Sequence, residues 1–453
     1  MKKLMAATLV GALMAVALPA KAEVLKNFKT SGEVAVSGVM AQNAQTLSPV
    51  TGSYNDSYRN TLSRIIYGMS FDLLDDLHAN LTLTKNDRYY GDAAQNLAGI
   101  ENTVYVQEAN VVLDKLFGLQ AKIGRQFYGD EKDMVIYYGP THGTEKLDVS
   151  ALDAMRFDWN TDKNALQVVW AKAARGTVYT DGDTAILGAR DMYKFNDMLN
   201  VGGYVYNRRI GQTQDVTAVT APNMSSDNLY VFGAKATGKV SGVDYYAEAA
   251  GNLGHNHNVG SIGTPGNDAD YNGYAFLAKA AYNLKVDAVG AINPRAQLFY
   301  GSGNQEGTNS HVTDGMKNSN FTAIHPDLRM GLIYGNADGG SFNSANYAQP
   351  ASLANRNIIN VGVDYTPEKL AKLTASLDYF MFGVNTTSVS AKDLGTEADL
   401  GLAYKYAENV TLGLTGGIFW GGSYYGKKLG TDGITLNPQA PAYMAMSNIT
   451  VKF

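Results

Sequence analysis

Segments of about ten residues in which apolar and polar side chains alternate recur along this chain, and that pattern leaves few folds open. In "LHANLTLTKN", Leu77, Ala79, Leu81 and Leu83 fall on one side and His78, Asn80, Thr82 and Thr84 on the other. "KLTASLDYFMFG" sets Leu373, Ala375, Leu377, Tyr379 and Met381 against Thr374, Ser376 and Asp378. "EADLGLAYKY" and "NVTLGLTGGIFW" repeat the scheme, with Leu400, Leu402 and Tyr404 opposing Asp399 and Lys405, and Leu412, Leu414 and Trp420 opposing Thr411 and Thr415. A strand sends successive side chains to opposite faces, so each segment reads as a half-buried strand. One such strand suits a soluble sandwich. A long series with aromatic ends and small or polar opposite faces is the pattern of a transmembrane β-barrel, apolar toward lipid and polar toward a lumen.

The connections separate these two architectures. Short links fall at 74–76, 114–117, 160–164, 194–197, 238–242, 283–291, 367–371 and 407–409. Long links fall at 41–58, 89–100, 129–150, 176–183, 208–226, 253–270, 303–354, 386–393 and 421–441. Short and long alternate along the chain, as in an up-and-down barrel with tight periplasmic turns and long outer loops. They predict about 18 antiparallel strands, with both ends on the short-turn side. A strand-like run at 325–340 breaks the alternation if counted as wall, so it is assigned to a folded part of loop 303–354.

The remaining features fit an exported barrel. Lys2 and Lys3 precede an apolar run from Leu4 to Leu18, Pro19 ends it, and Ala20-Lys21-Ala22 supplies small residues for cleavage. That is a secretory signal peptide at 1–22; about 15 apolar residues are too few to span a bilayer, which needs about 20. The mature part, 23–453, shows no composition break and reads as a single barrel. There is no cysteine, so no disulfide framework is expected. The 29 Tyr and 48 Gly against 11 Pro favour extended structure with many turns. Acidic residues outnumber basic ones, 42 to 37, which argues against a nucleic-acid partner. "AYMAMSNITVKF" alternates up to Phe453, so Ile449 and Val451 are expected to face lipid and Phe453 to sit in the interfacial aromatic girdle. A terminal aromatic on such a strand resembles the assembly signal that the barrel-insertion machinery reads.

Two stretches carry a family resemblance. In "AKIGRQFYGDEKDMVIYYGP", Gly124-Arg125-Gln126 is followed by Asp130-Glu131, and "ALDAMRFDW" then supplies Arg156-Phe157-Asp158. This resembles the alginate-export-type outer-membrane channels, and "DLGTEADLGLAYKYAENVTLGLTGGIFWGG" is similar to their last hairpin region. The resemblance implies an 18-stranded monomeric barrel that passes a hydrophilic solute; association of three barrels stays open.

Parity assigns Lys29, Arg64, Arg88, Lys122, Arg156, Arg190, Arg208, Lys279, Arg295, Arg356 and Lys405 to the lumen. It also places Glu33, Asp72, Glu108, Asp158, Asp244, Glu248, Asp364, Asp378, Glu397 and Asp399 there. The signs nearly balance, whereas a polyuronate conduit should be mostly basic. Two readings of these charges stand: a network that rigidifies and wets the wall, or a basic side facing an acidic one across a constriction. For the second, Arg64, Lys122, Arg156 and Arg295 are the basic candidates and Asp378, Glu397 and Asp399 the acidic ones. Arg125 shares the parity of Leu119, Ala121 and Ile123, which puts it at the rim or beyond a bulge.

Of the histidines, only His78 is expected in a strand, so a strand-borne hydrolase triad has no support and no enzyme activity is expected. His255 and His257 in "GHNHN" are expected in a loop, without neighbouring acidic or cysteine ligands for a metal. The acidic turns "TDGDT" and "NDAD" lack a full calcium-loop pattern. No cofactor is expected. The sequence therefore predicts an outer-membrane channel for passive diffusion of small hydrophilic solutes. A saccharide- or polyuronate-selective channel is the alternative, and a structural or adhesive barrel without transport is the alternative of another class.

Overall fold

The computed structural model describes residues 26–43, 57–90, 104–143, 147–175, 183–214, 224–258, 269–304, 316–335, 353–386, 391–424 and 440–453. Residues 1–22, expected from the sequence to be a leader, and His311 lie outside them. Eighteen strands form the wall. They are β1 (Lys26–Gln42), β2 (Ser57–Leu74), β3 (Leu77–Tyr89), β4 (Tyr105–Leu116), β5 (Leu119–Gln126), β6 (Leu152–Asn160), β7 (Asn164–Ala174), β8 (Thr184–Asn196) and β9 (Leu199–Gln214), followed by β10 (Met224–Val240), β11 (Val243–Asn258), β12 (Tyr274–Tyr282), β13 (Gly290–Gly301), β14 (Arg356–Pro367), β15 (Leu373–Gly383), β16 (Asp393–Ala407), β17 (Val410–Gly421) and β18 (Ala442–Lys452).

Each strand pairs antiparallel with the next, and β18 returns to β1 in continuous register from Glu33↔Lys452 to Gln42↔Tyr443. Closure leaves no edge, so every strand satisfies its backbone polar groups within the wall, as a bilayer requires. At the seam the Gly32 and Phe453 backbones exchange N–H···O bonds of 2.7 and 3.0 Å. The Phe453 ring lies over Gly32, where an added Cβ would sit 2.4 Å from it.

Burial is inverted relative to a soluble protein. Ile449, Val205, Leu253, Leu400 and Trp170 point outward and are exposed, while Arg64, Glu248, Asn360 and Glu397 point inward and are buried. On β18 the inward side carries buried Met444 and Met446 and the outward side Tyr443, Ile449 and Phe453, in the expected parity.

The strand ends differ from expectation in places. His255 and His257 belong to β11 rather than to a loop, and β9 and β10 also run further than the polar residues suggested. Ladder hydrogen bonds continue above the lipid, where outward positions no longer need to be apolar, so hydropathy stops marking strands there. The turn after β12 is also tighter than 283–291, because Leu284–Val286 continues pairing with β13 beyond Asn283. The described part of the run at 325–340, residues 325–335, forms no wall strand.

Two loops turn back into the barrel. The third long loop, between β5 and β6, folds into a small hairpin, Tyr128–Gly129 against Tyr137–Tyr138. The described segment of the seventh, between β13 and β14, lies against it. Ile324 and His325 donate backbone N–H bonds to the Val135 carbonyl at 3.0 Å, and Asp327 and Leu328 donate to that of Asp133 at 2.9 and 3.0 Å. His325 stacks on Tyr138 at 4.2 Å between ring centroids. The two loops thus form one internal layer across the lumen.

Candidate functional site: a lumen narrowed by two loops

The third loop is launched by the Gly124-Arg125-Gln126 triplet. Gly124 has φ +121°, and a Cβ there would collide with the Ala109 carbonyl oxygen at 2.3 Å. Only glycine allows that kink. Arg125 points outward at the rim and pairs with Asp153 at 3.3 Å. Gln126 is fully buried, and its amide donates to the carbonyls of Lys122, Gly124 and Ala154. The motif builds the departure of the loop from the wall.

Ion pairs then tie the loop to the wall. Asp130 pairs with Arg190 at 2.9 Å, and Asp133 with Lys235, which also lies 3.5 Å from Glu248. Glu131 and Glu33 hold His142 from both sides, at 3.3 and 3.1 Å. Hydrogen bonds that the imidazole donates to these carboxylates, the one to Glu131 first, raise the His142 pKa to about 9, and the same bond lowers that of Glu131. Arg64, fully buried, binds Glu33 and donates to the Thr141 carbonyl at 2.8 Å. It is an anchor behind the loop, not an exposed pore charge.

Between this loop and strands β6 to β10 lies a cavity of about 500 Å³. Arg156, Arg190 and Lys235 line it together with Asp130, Asp133 and Asp158, and Gln167, Tyr204 and Tyr206 supply neutral polar surface. Arg156 pairs with Asp158 at 2.8 Å, so each of these charges meets an opposite one. Asp191 also borders the cavity, but on the outward parity shared by Leu187 and Tyr193. Tyr204 donates to Glu248 at 2.7 Å, and Tyr128 and Tyr206 share a hydroxyl contact of 3.1 Å. The Lys279 ammonium sits over the Tyr246 ring at 5.2 Å.

The other candidates lie elsewhere. Lys122 pairs with Glu108 at 3.0 Å on the wall below the loop launch. Arg295 bridges Asp364 and Asp378, and Asp378 also accepts from Asn360 at 3.1 Å. Phe157 is on the outward parity of β6. Glu397 and Asp399 do not face open lumen. Glu397 accepts the backbone N–H groups of Ile333 and Tyr334 at 2.7 and 2.9 Å, and Asp399 accepts that of Leu332 at 2.9 Å. Gly331 precedes these donors at φ +91°, and a Cβ there would approach the Glu397 carboxylate at 2.9 Å. The seventh loop is thereby clamped onto β16, with Tyr334 stacked on Phe382 at 4.1 Å and near Phe419 at 5.9 Å. The seven constriction candidates are thus dispersed around the wall, and only Arg156 borders the cavity. Sequence reasoning missed Lys235. Its signal was parity: in "VFGAKATGK" it shares a face with Val231 and opposes the outward Phe232.

His78 is bracketed at the periplasmic end by Asp72 at 2.6 Å and Asp114 at 2.7 Å, and His255 pairs with Asp270 at 2.9 Å. Among the described residues no group of three or more acidic, histidine or cysteine side chains is arranged to hold a metal.

No curated protein matches the chain by sequence. Solved structures match over nearly its whole length. Pseudomonas aeruginosa OpdQ aligns at TM-score 0.56 and 10% identity, covering 96% of this chain and 99% of that one. OpdK from the same organism, solved with vanillate, aligns at 0.52 and 11%, covering 94% and 98%. OccK2 (OpdF), solved with glucuronate, gives the same values. At such identity these likenesses establish the fold. The family model described as alginate export matches residues 85–436. With a closed 18-strand wall, an inward-folded loop layer and a polar lumen already in view, the chain belongs to the alginate-export family and is an outer-membrane channel of the porin type.

Proposed function

We propose that the barrel conducts small hydrophilic solutes through the gap between the third loop and β6–β10, with weak ion selectivity. The pairing of opposite charges around the 500 Å³ cavity carries this reading: Arg156 with Asp158, Arg190 with Asp130, and Lys235 with Asp133. A lumen that neutralises its own charges offers no single sign to a passing ion, while tyrosine hydroxyls and amides offer hydrogen bonds to neutral solutes. Export is directed by the leader, with cleavage after Ala22, and the barrel-insertion machinery reads the strand that ends in Phe453. Reversal potentials of the purified protein across a salt gradient, with vesicle swelling in small sugars, test the transport reading. The expected outcome is a small reversal potential and sugar entry.

Family membership favours a second reading, a conduit for polyuronates. A large anion preference with block by oligouronates would replace the first reading with it. Absence of conductance, with loop 303–354 present or deleted, would leave a structural or adhesive barrel.

A further inference from the structure

A groove of about 720 Å³ lies on the membrane-facing wall across β16, β17, β18 and β1. Its shape follows from register. Met40 stands opposite Ala445, Ala445 opposite Gly416, and Gly416 opposite Leu400, all on outward positions. Ala445 and Gly416 leave the floor low, and Met40, Leu400, Ile418 and Tyr443 form the sides. The volume is within the range of small-molecule pockets, about 300–1,000 Å³.

One end of the groove carries a cation. Arg59 lines it and is directly opposite Met40 on β2, on the outward parity of exposed Ile65. It is exposed and makes no ion pair among the described residues. Asp399 borders the groove from the other side of the thin wall, but its carboxylate is engaged by the Leu332 backbone inside the barrel. Arg59 belongs to the outer third of β2, and Tyr443 on β18, ten positions before Phe453, falls where an outer aromatic girdle is expected. Ten residues rise about 33 Å along a strand, which at a tilt of about 40° spans the apolar band of about 25 Å.

We propose that this groove binds an anionic, phosphate-bearing lipid of the outer leaflet, with one acyl chain along Gly416 and Ala445 and the phosphate on Arg59. The charge arrangement selects this occupant. An apolar trough calls for a hydrocarbon chain, and a cation at its end with no ion pair among the described residues calls for an anionic head group. A second copy of the barrel would present a convex wall, which cannot enter the trough.

The site has a convenient substitution. A Cβ at Gly416 meets only the Met444 carbonyl oxygen, at 3.8 Å, so Gly416→Leu fills the trough without displacing backbone. The test is native mass spectrometry of the full-length barrel released from detergent, with lipid A, phosphatidylcholine or inorganic phosphate as probes. Wild type should retain one lipid A at least tenfold more than phosphatidylcholine, and inorganic phosphate should not compete. Gly416→Leu should reduce lipid A retention at least tenfold. Arg59→Gln should reduce it several-fold and leave phosphatidylcholine retention unchanged. Heat-dependent gel migration checks folding, and Ala445→Leu replaces Gly416→Leu if that variant does not fold. Retention insensitive to the trough-filling variants, or equal for the two lipids, overturns the proposal. So does competition by inorganic phosphate alone, or a dimer whose abundance falls with Gly416→Leu, which would make the trough an interface between copies.

Discussion

The two sides of the lumen hold their loops by different physics. On the β6–β10 side, the third loop is attached by pairs of charged side chains, Asp130 with Arg190 and Asp133 with Lys235, around a polar cavity. On the β15–β17 side, the seventh loop is attached by backbone donors on Glu397 and Asp399 and by rings packed against Phe382 and Phe419. The first attachment is polar and borders open volume; the second is dry and closed. Charge on a channel wall therefore has two meanings here. Beside the cavity, on the proposed path, it would set the field that a solute meets, and under the seventh loop it holds structure in place.

The comparison breaks most strongly at Tyr334. Tyr334→Ala removes a buried ring from the dry side, where large-to-small changes cost about 3–5 kcal/mol. The seventh loop should detach, raising single-channel conductance and increasing current noise in planar bilayers. An unchanged conductance would mean that this loop does not narrow the path. Glu397→Ala should act in the same direction with a smaller effect. It strands the N–H groups of Ile333 and Tyr334, at about 1–3 kcal/mol for each donor left unsatisfied, and should lower the midpoint of the heat-dependent gel shift. Asp at 399 alone cannot replace both bonds.

On the wet side the effect should appear in selectivity as well as in the hold on the third loop. Lys235→Gln leaves Asp133 and Glu248 without their shared cation, so the reversal potential should move toward cation preference. The same replacement at Arg295, which bridges Asp364 and Asp378 away from the cavity, should move it less. Equal shifts would erase the distinction between the cavity and the rest of the wall.

The smallest expected effect concerns pH. The raised value of His142 means that its pairs with Glu131 and Glu33 are fully present below the ordinary histidine value of about 6.5. They are lost as pH rises through about 9. Current noise from the third loop should thus increase above pH 9 and stay flat from neutrality down to the range in which the carboxylates take up protons. His142→Gln should abolish that dependence while leaving the Tyr334 side unaffected.

The barrel itself was legible because lipid imposes a strict rule on alternate residues and because short and long links sort onto opposite rims. Where lipid ends, the rule ends too, which is why His255 and His257 read as loop although β11 continues through them. Parity also placed Glu33, Arg64, Arg156 and Glu397 on the inward face. It carried no information about the height of each residue or about which loop would cover it. Arg64 and Glu397 became anchors because segments far away in sequence, Thr141 and Ile333–Tyr334, bring backbone groups to them. The Gly124-Arg125-Gln126 triplet is a related case: its family likeness was visible, but its role in bending the chain out of the wall depends on the Ala109 carbonyl across the strand pair.

The seam between β1 and β18 has a kinetic consequence. Asn43 reaches the Pro441 carbonyl across a sequence separation of 398 residues, so the contacts that complete the wall are among the most non-local a chain of this length can make. Non-local pairing is slow, because the entropy of closing so large a loop is spent before any contact rewards it. Until β18 arrives, β1 presents a full row of unpaired N–H and C=O groups, which is a template for pairing with any other extended chain. The interval between export and closure is therefore the stretch of this protein's life in which aggregation competes with folding, and its length is set by the last strand to dock.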